Sequence, residues 1–121
     1  MTKILIIDDD DFLLDMYITK FTQIGFKIDS AKDGKEALDK IKNFDPDIVL
    51  LDMVMPGVDG FEVLKSINEI GLKKKPKIIV LSNLDQRENI DKALKLGAHD
   101  YMIKSDFTPS EIAEKVKKLL E

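Results

Sequence analysis

Cysteine is missing from this chain of 121 residues, and so is tryptophan. Without Cys there is no disulfide framework, no thiolate metal site and no thiol nucleophile. That fits a reducing cytosol, so a cytoplasmic location is expected. Histidine occurs once, at His99, next to Asp100 and ahead of an apolar run. It reads as a loop residue without catalytic role. Arginine is scarce as well, with 18 Lys against 1 Arg. A net charge of −4 argues against nucleic-acid binding, which usually brings a basic patch. No apolar run approaches the roughly 18 residues of a membrane span, so no membrane partner is expected. Met1-Thr2-Lys3 leads straight into an apolar run, and no signal peptide is expected. What is present suits a single globular domain over residues 1–121, with an apolar fraction of 44%.

The chain is organised around 48–60, IVLLDMVMPGVDG. Four β-formers, Ile48 to Leu51, read as a strand buried on both faces, as in a parallel sheet. The run ends in Asp52, at the strand edge where open α/β sheets bind ligands. Taken alone, Asp52 reads equally well as a turn residue. Pro56-Gly57 then breaks the chain, and Asp59-Gly60 leads into a helical pattern.

Taken in order, Lys3 to Ile7 is the first strand. Asp8 to Asp11 follows, and its acids suit a helix N-terminus. Leu13, Met16, Tyr17, Phe21 and Ile24 give the apolar face of helix one, and Gly25 stops it. Leu14 and Ile18 are left off that face and read as exposed docking residues. Strand two is Phe26 to Ser30, helix two Glu36 to Phe44, and strand three Asp47 to Leu51. Asp45-Pro46 separates the last two, since a residue before Pro avoids αR. Helix three runs from Gly60 to Ile70, strand four from Lys77 to Leu81, helix four from Arg87 to Leu96. Strand five is Asp100 to Ile103. Thr108, Pro109 and Glu111 open the last helix as N-cap, first residue and capping-box partner. Ile112, Val116, Leu119 and Leu120 form its stripe. Strands alternating with helices predict an α/β fold, a doubly wound parallel sheet in three layers.

In such a sheet all strand C-termini share one edge. Strand one delivers Asp8 and Asp9, strand three Asp52, strand four Ser82 and strand five Lys104. Three carboxylates that close repel and call for a cation. An oxygen-only donor set suits Mg²⁺ or Mn²⁺. Lys104 and Ser82 are useful donors around a phosphoryl group, and an Asp can itself be the nucleophile. Each residue also has a plainer reading. Ser82 can cap helix four, and Tyr101 can be an ordinary half-buried strand aromatic. Asp10 and Asp11 are simply helix-start acids.

Over essentially all 121 residues the sequence resembles response-regulator receiver domains, the phosphoacceptor modules of two-component signalling. The resemblance rests on Asp8-Asp9, DMVMPGVDG around Asp52, Ser82, Tyr101 and Lys104, with Pro56 and Gly60 at the family's offsets. It implies a five-stranded flavodoxin-like sheet in the order 2-1-3-4-5. It implies that Asp52 accepts a phosphoryl group from a phosphohistidine on a sensor histidine kinase or phosphotransfer protein. Asp9 would bind Mg²⁺ directly, Asp8 through water, and Val54 through its backbone carbonyl. Lys104 would contact the phosphoryl oxygens. Ser82 would move to donate to one of them, and Tyr101 would turn inward as it does. The α4-β5-α5 surface would then change toward a downstream protein or output domain. A monomer or a phosphorylation-dependent dimer is implied. The domain would be a signalling switch with its own phosphorylation and dephosphorylation activity, not a turnover enzyme.

Three positions depart from the family pattern. Asn83 stands where a small residue usually follows the Ser. Ser105 stands where a Pro, with a cis bond, usually follows the Lys. A cis bond to Ser costs about 2.5–4 kcal/mol, so a trans bond or a strained loop is expected. Val54 and Leu84 are apolar where polar groups often position water, which predicts slow self-dephosphorylation. Asn83 is the other candidate to reach that water. Two further readings compete. An aspartyl-nucleophile phosphatase would generally carry a second Asp at 54 and a cap domain. A flavodoxin-like cofactor binder would want a hydroxyl- and Gly-rich loop after strand one, not four acids.

Overall fold

The computed structural model describes every residue except Pro56, Val58 and Glu121. The Pro56 half of the expected 56–57 break, and the family offset of Pro56, lie outside the described residues. The strands are β1 (Lys3–Ile7), β2 (Lys27–Ala31), β3 (Ile48–Leu51), β4 (Lys77–Ser82) and β5 (Asp100–Ile103). The helices are α1 (Asp11–Ile24), α2 (Gly34–Phe44), α3 (Gly60–Glu69), α4 (Arg87–Lys95) and α5 (Pro109–Leu120). A short 3-10 turn, Lys104–Asp106, joins β5 to α5. The strands form one parallel sheet in the order β2-β1-β3-β4-β5.

Period-two alternation divides the apolar residues between the sheet's faces. Leu5, Ile7, Val49, Leu51, Ile78 and Val80 pack with Ala37, Ile41, Val63, Leu64, Ile67 and Ala93 of α2, α3 and α4. Ile4, Ile6, Ile48, Leu50, Ile79 and Leu81 pack on the other face with Leu14, Tyr17, Phe21, Ile112, Ala113 and Val116 of α1 and α5. Burial on both faces is why β3 reads as an unbroken apolar run. Truncating any of these β-strand Leu or Ile side chains to Ala should cost about 2–5 kcal/mol.

Local signals set the helix ends. Asp10, Asp33 and Asp59 cap α1, α2 and α3 by accepting backbone N–H groups. Gly25, at φ 110°, takes the left-handed conformation after α1, and Asp45, at φ 54°, does so before Pro46. At α5 the capping box is reciprocal. Thr108 N donates to Glu111 Oε1 at 2.9 Å, and Glu111 N donates to Thr108 Oγ1 at 3.2 Å.

The structure corrects several expectations. β2 lies one residue later than read, α2 begins at Gly34, and Ser82 belongs to β4 itself. Leu14 is a core residue, 3% exposed, and Ile18 is half-buried against the same cluster. Neither is a free docking residue. Phe12, Leu13, Leu14, Met16, Tyr17 and Ile18 crowd one stretch, so periodicity alone cannot choose the buried stripe. Starting α1 at Asp11 turns Leu14, Tyr17 and Phe21 inward and leaves Phe12 73% exposed. Leu120, counted in the α5 stripe, is exposed, and Ala113 takes a core place instead.

Candidate functional site

Sheet register brings the strand-end residues together. Ile7 pairs with Leu51 across β1 and β3, so Asp8 and Asp52 leave adjacent strands side by side. Asp52 N still donates to Ile7 O at 3.0 Å. Ser82 pairs with Ile103 across β4 and β5, which places Lys104 next along the same edge.

Three of these side chains are aimed by the same local device. Asp8 Oδ1 accepts from Asp10 N at 2.9 Å, Asp52 Oδ1 from Val54 N at 3.2 Å, and Ser82 Oγ from Leu84 N at 3.2 Å. Each strand end thus closes on the N–H two residues on, as Asx and Ser turns do. Gly60 lets α3 start against this edge. A Cβ there would lie 2.6 Å from Met53 Cα and 2.7 Å from the Asp52 carbonyl oxygen.

The charges are nearly buried. Lys104 Nζ lies 2.6 Å from Asp8 Oδ2 and 2.9 Å from Asp52 Oδ2. The side chains of Lys104, Asp8 and Asp52 are only 10%, 3% and 8% exposed. Burial pushes the Asp8 carboxyl above its ordinary range, more than the Lys104 and Asp10 hydrogen bonds pull it down. Burial works against the Lys104 ammonium, but Asp8 and Asp52 together outweigh it and raise its pKa. One lysine therefore serves two carboxylates. Asp9 adds a third, more exposed acid, and one oxygen from each of Asp8, Asp9 and Asp52 lies within 4.8 Å of the others. That donor set fits a hard divalent cation of the Mg²⁺ type, which accepts carboxylates and keeps several waters.

Asp8, Asp9, Asp10, Leu13, Asp52, Val54, Ser82, Asn83, Leu84 and Lys104 line one open cleft. Residues 4–117 match the family model of the response regulator receiver domain. The chain belongs to that family. It is similar to the "Chemotaxis protein CheY" of Thermotoga maritima, 36% identical over 118 residues, covering 97% of this chain and 96% of that protein. It is similar to the "Alkaline phosphatase synthesis transcriptional regulatory protein PhoP" of Bacillus subtilis, 35% identical, covering 98% of this chain but 48% of that one. The receiver thus spans nearly all of one curated relative and about half of the other. Among solved structures, a CheY-like receiver domain from Methanospirillum hungatei superposes with a TM-score of 0.91 at 29% identity, over 99% of this chain and 94% of that one. The receiver domain of Francisella response regulator 1452 does so at 0.88 and 35%, over 98% and 96%.

This receiver is therefore the signalling-switch module of a two-component response regulator, a family that pairs with histidine kinases and output domains. The parallel sheet in the order 2-1-3-4-5 is the family's flavodoxin-like fold. Neither the phosphatase nor the flavodoxin-like cofactor reading is kept. No described helix is long and apolar enough to cross a membrane.

The site residues read from the sequence do not all meet. Asp8, Asp9, Asp52, Ser82, Lys104, Val54 and Leu84 share the cleft. Tyr101 does not line it. Its hydroxyl donates to the Leu84 carbonyl, and burial raises its pKa. Asp10 is spent on capping α1, and Asp11 pairs with Lys32. His99 is tied to β4 at the strand's opening residues, its Nδ1 accepting from Ile78 N at 3.0 Å. The Lys104–Ser105 bond is trans, since no cis peptide occurs among the described residues. Asn83 Oδ1 accepts from Ser105 N at 3.0 Å, which engages one of its two lone pairs. Sequence reasoning missed this bond and Leu13's place in the cleft. The signal for the bond was there: both partners are departures from the family pattern.

Proposed function

We propose that Asp52 is the phosphoacceptor of this receiver and that residues 1–121 act as one phosphoacceptor unit. The observation that carries the proposal is the Asp52 carboxylate held between the Lys104 ammonium and the Asp8-Asp9 pair. An Asp52 oxygen attacks the phosphorus of a partner's phosphohistidine. The new O–P bond forms as the N–P bond breaks, and the imidazole leaves with the electron pair. Asp8, Asp9, Asp52 and the Val54 carbonyl would hold Mg²⁺. When bound, the ion neutralises charge gathering on the phosphoryl oxygens. Lys104 supports a further phosphoryl oxygen through the ammonium that now serves Asp8 and Asp52.

Switching would run through the peptide of Leu84. Its N–H goes to Ser82 Oγ, and its carbonyl accepts from Tyr101. Ser82 cannot turn toward a phosphoryl oxygen without giving up that N–H. The loop then shifts under Tyr101, and α4, which follows at Arg87, moves with it. The phosphoryl group shifts the populations only by its differential affinity for the two arrangements. The changed α4-β5-α5 surface would meet a downstream protein or output domain, as a monomer or a phosphorylation-dependent dimer in the cytoplasm. Val54 and Leu84 flank the cleft and would slow hydrolysis, because neither side chain can orient water.

The test is incubation with acetyl phosphate and Mg²⁺, followed by mapping of the adduct. Labelling at Asp52 alone is expected, abolished in Asp52→Ala and by EDTA. Modification that persists in Asp52→Ala, or proceeds equally well in EDTA, refutes the assignment.

A further inference from the structure

Two loops carry the groups that would receive the phosphoryl oxygens. The loop after β4 follows Ser82, and the 3-10 turn after β5 begins at Lys104. One hydrogen bond joins them directly, from Ser105 N to Asn83 Oδ1 at 3.0 Å. The donor is a backbone N–H, so the atom facing it must be the amide oxygen, and the orientation of Asn83 is fixed. The turn's own backbone bond is long, Phe107 N to Lys104 O at 3.4 Å, and the Lys104 side chain is held separately by Asp8 and Asp52. Residue 105 is Ser, so no proline ring stiffens the chain after Lys104.

We propose that Asn83 and Ser105 form a cross-loop latch that positions Lys104 and makes its turn move with the Ser82 loop. Asn83 acts as a positioning residue: it borders the cleft, and its oxygen holds the turn. The latch regulates the phosphoacceptor site proposed above and rests on that reading. The two departures from the family pattern are then one feature. A Pro at 105 would have no N–H to give, and a small residue at 83 would have no acceptor.

The chemistry separates informative from silent substitutions. Asn83→Ala removes the acceptor, and Asn83→Asp retains one. Ser105→Ala retains the backbone donor. Ser105→Pro removes it and points a ring carbon at the Asn83 oxygen. Amide hydrogen exchange by NMR on the whole chain reads the latch without any phosphoryl donor. Exchange at Ser105 and Phe107 should quicken in Asn83→Ala by roughly threefold to tenfold, the loss of one ordinary hydrogen bond. It should stay near wild type in Asn83→Asp and Ser105→Ala. Labelling of Asp52 by acetyl phosphate in Mg²⁺ should slow by a similar factor in Asn83→Ala and Ser105→Pro. Adding Asn83→Ala to Ser105→Pro should relieve the ring contact and make the double variant no slower than Ser105→Pro alone.

Unchanged exchange in Asn83→Ala overturns the latch. Quickened exchange with an unchanged labelling rate overturns its positioning role. A wild-type protein that takes no label refutes the phosphoacceptor reading, while the exchange arm still decides whether the latch exists.

Discussion

Among the described residues Lys104 is the one cation paired with the two buried carboxylates Asp8 and Asp52, and removing it has a calculable consequence. At an effective dielectric constant of about 20, each contact at 2.6 and 2.9 Å is worth roughly 6 kcal/mol of attraction. Two carboxylates at the 4.8 Å outer limit repel by roughly 3.5 kcal/mol. Desolvation of three ions absorbs several kcal/mol apiece, so the intact triad contributes little net stability. Deleting the lysine alone is different, because the desolvated acids remain. Lys104→Met, which keeps most of the side-chain volume, should lower stability by about 3–5 kcal/mol in EDTA at neutral pH. The loss should shrink as pH falls. Asp8 already has a raised pKa, so its folded form binds a proton more tightly than the unfolded chain. Protonation below that raised pKa removes the unpaired charge. In wild type Lys104 carries the same sign, since its folded pKa is raised as well. Its contribution is complete below about pH 10.5 and is lost as pH rises through its raised folded value. The assay is urea denaturation of both proteins in EDTA and in Mg²⁺. Mg²⁺ should stabilise Lys104→Met more than wild type, because an added cation relieves acids that have lost theirs. Equal stability of the two proteins in EDTA would refute the reasoning. So would an equal Mg²⁺ gain.

Three further outcomes follow from the geometry. Gly60→Ala should destabilise by about 1–3 kcal/mol, because its Cβ would overlap the backbone at Met53 and Asp52; thermal denaturation reads this, and an unchanged Tm contradicts it. Asp9→Ala should raise stability in EDTA by roughly 0.5 kcal/mol, a small value because the group is exposed, and should weaken Mg²⁺ binding; a variant that is less stable without metal yet gains fully from Mg²⁺ argues against the ligand role. Val54→Asn with Leu84→Glu should speed loss of phosphate from Asp52, measured after removal of the donor; no acceleration means that water does not approach past these side chains.

Much of the fold was legible because one kind of signal carried it. Short apolar runs bounded by turn residues, such as Ile48–Leu51, read as strands covered on both faces, and strands alternating with helices point to a parallel sheet. Caps were legible where side-chain chemistry sets them, as at Thr108–Glu111. Legibility failed on α1. Six apolar residues in seven, from Phe12 to Ile18, satisfy several helical stripes at once. Which stripe is buried depends on where the helix starts, and Asp10 decides that by capping. A docking surface at Leu14 was therefore read from a residue that is buried in the same core cluster as Ile4 and Ile6.

The site divides along a different line. Asp8, Asp52, Ser82 and Lys104 could be foreseen as neighbours, because a parallel sheet delivers every strand end to one edge. Their mutual bonding could not, since it depends on register. Pairing of Ile7 with Leu51 sets Asp8 beside Asp52, and the turn after Ile103 returns Lys104 between them. A slip of one residue in β3 would have sent Asp52 to the opposite face of the sheet. The loops were least legible. Asn83 and Ser105 are 22 residues apart, and neither suggests the other to any local rule. Only the paired departures hinted that they belong together, and the physical link is the N–H that a proline would have lacked. The residues that would carry the phosphoryl chemistry are thus set by the sheet, whereas the proposed coupling between their loops would rest on one bond between two loop residues, Asn83 and Ser105.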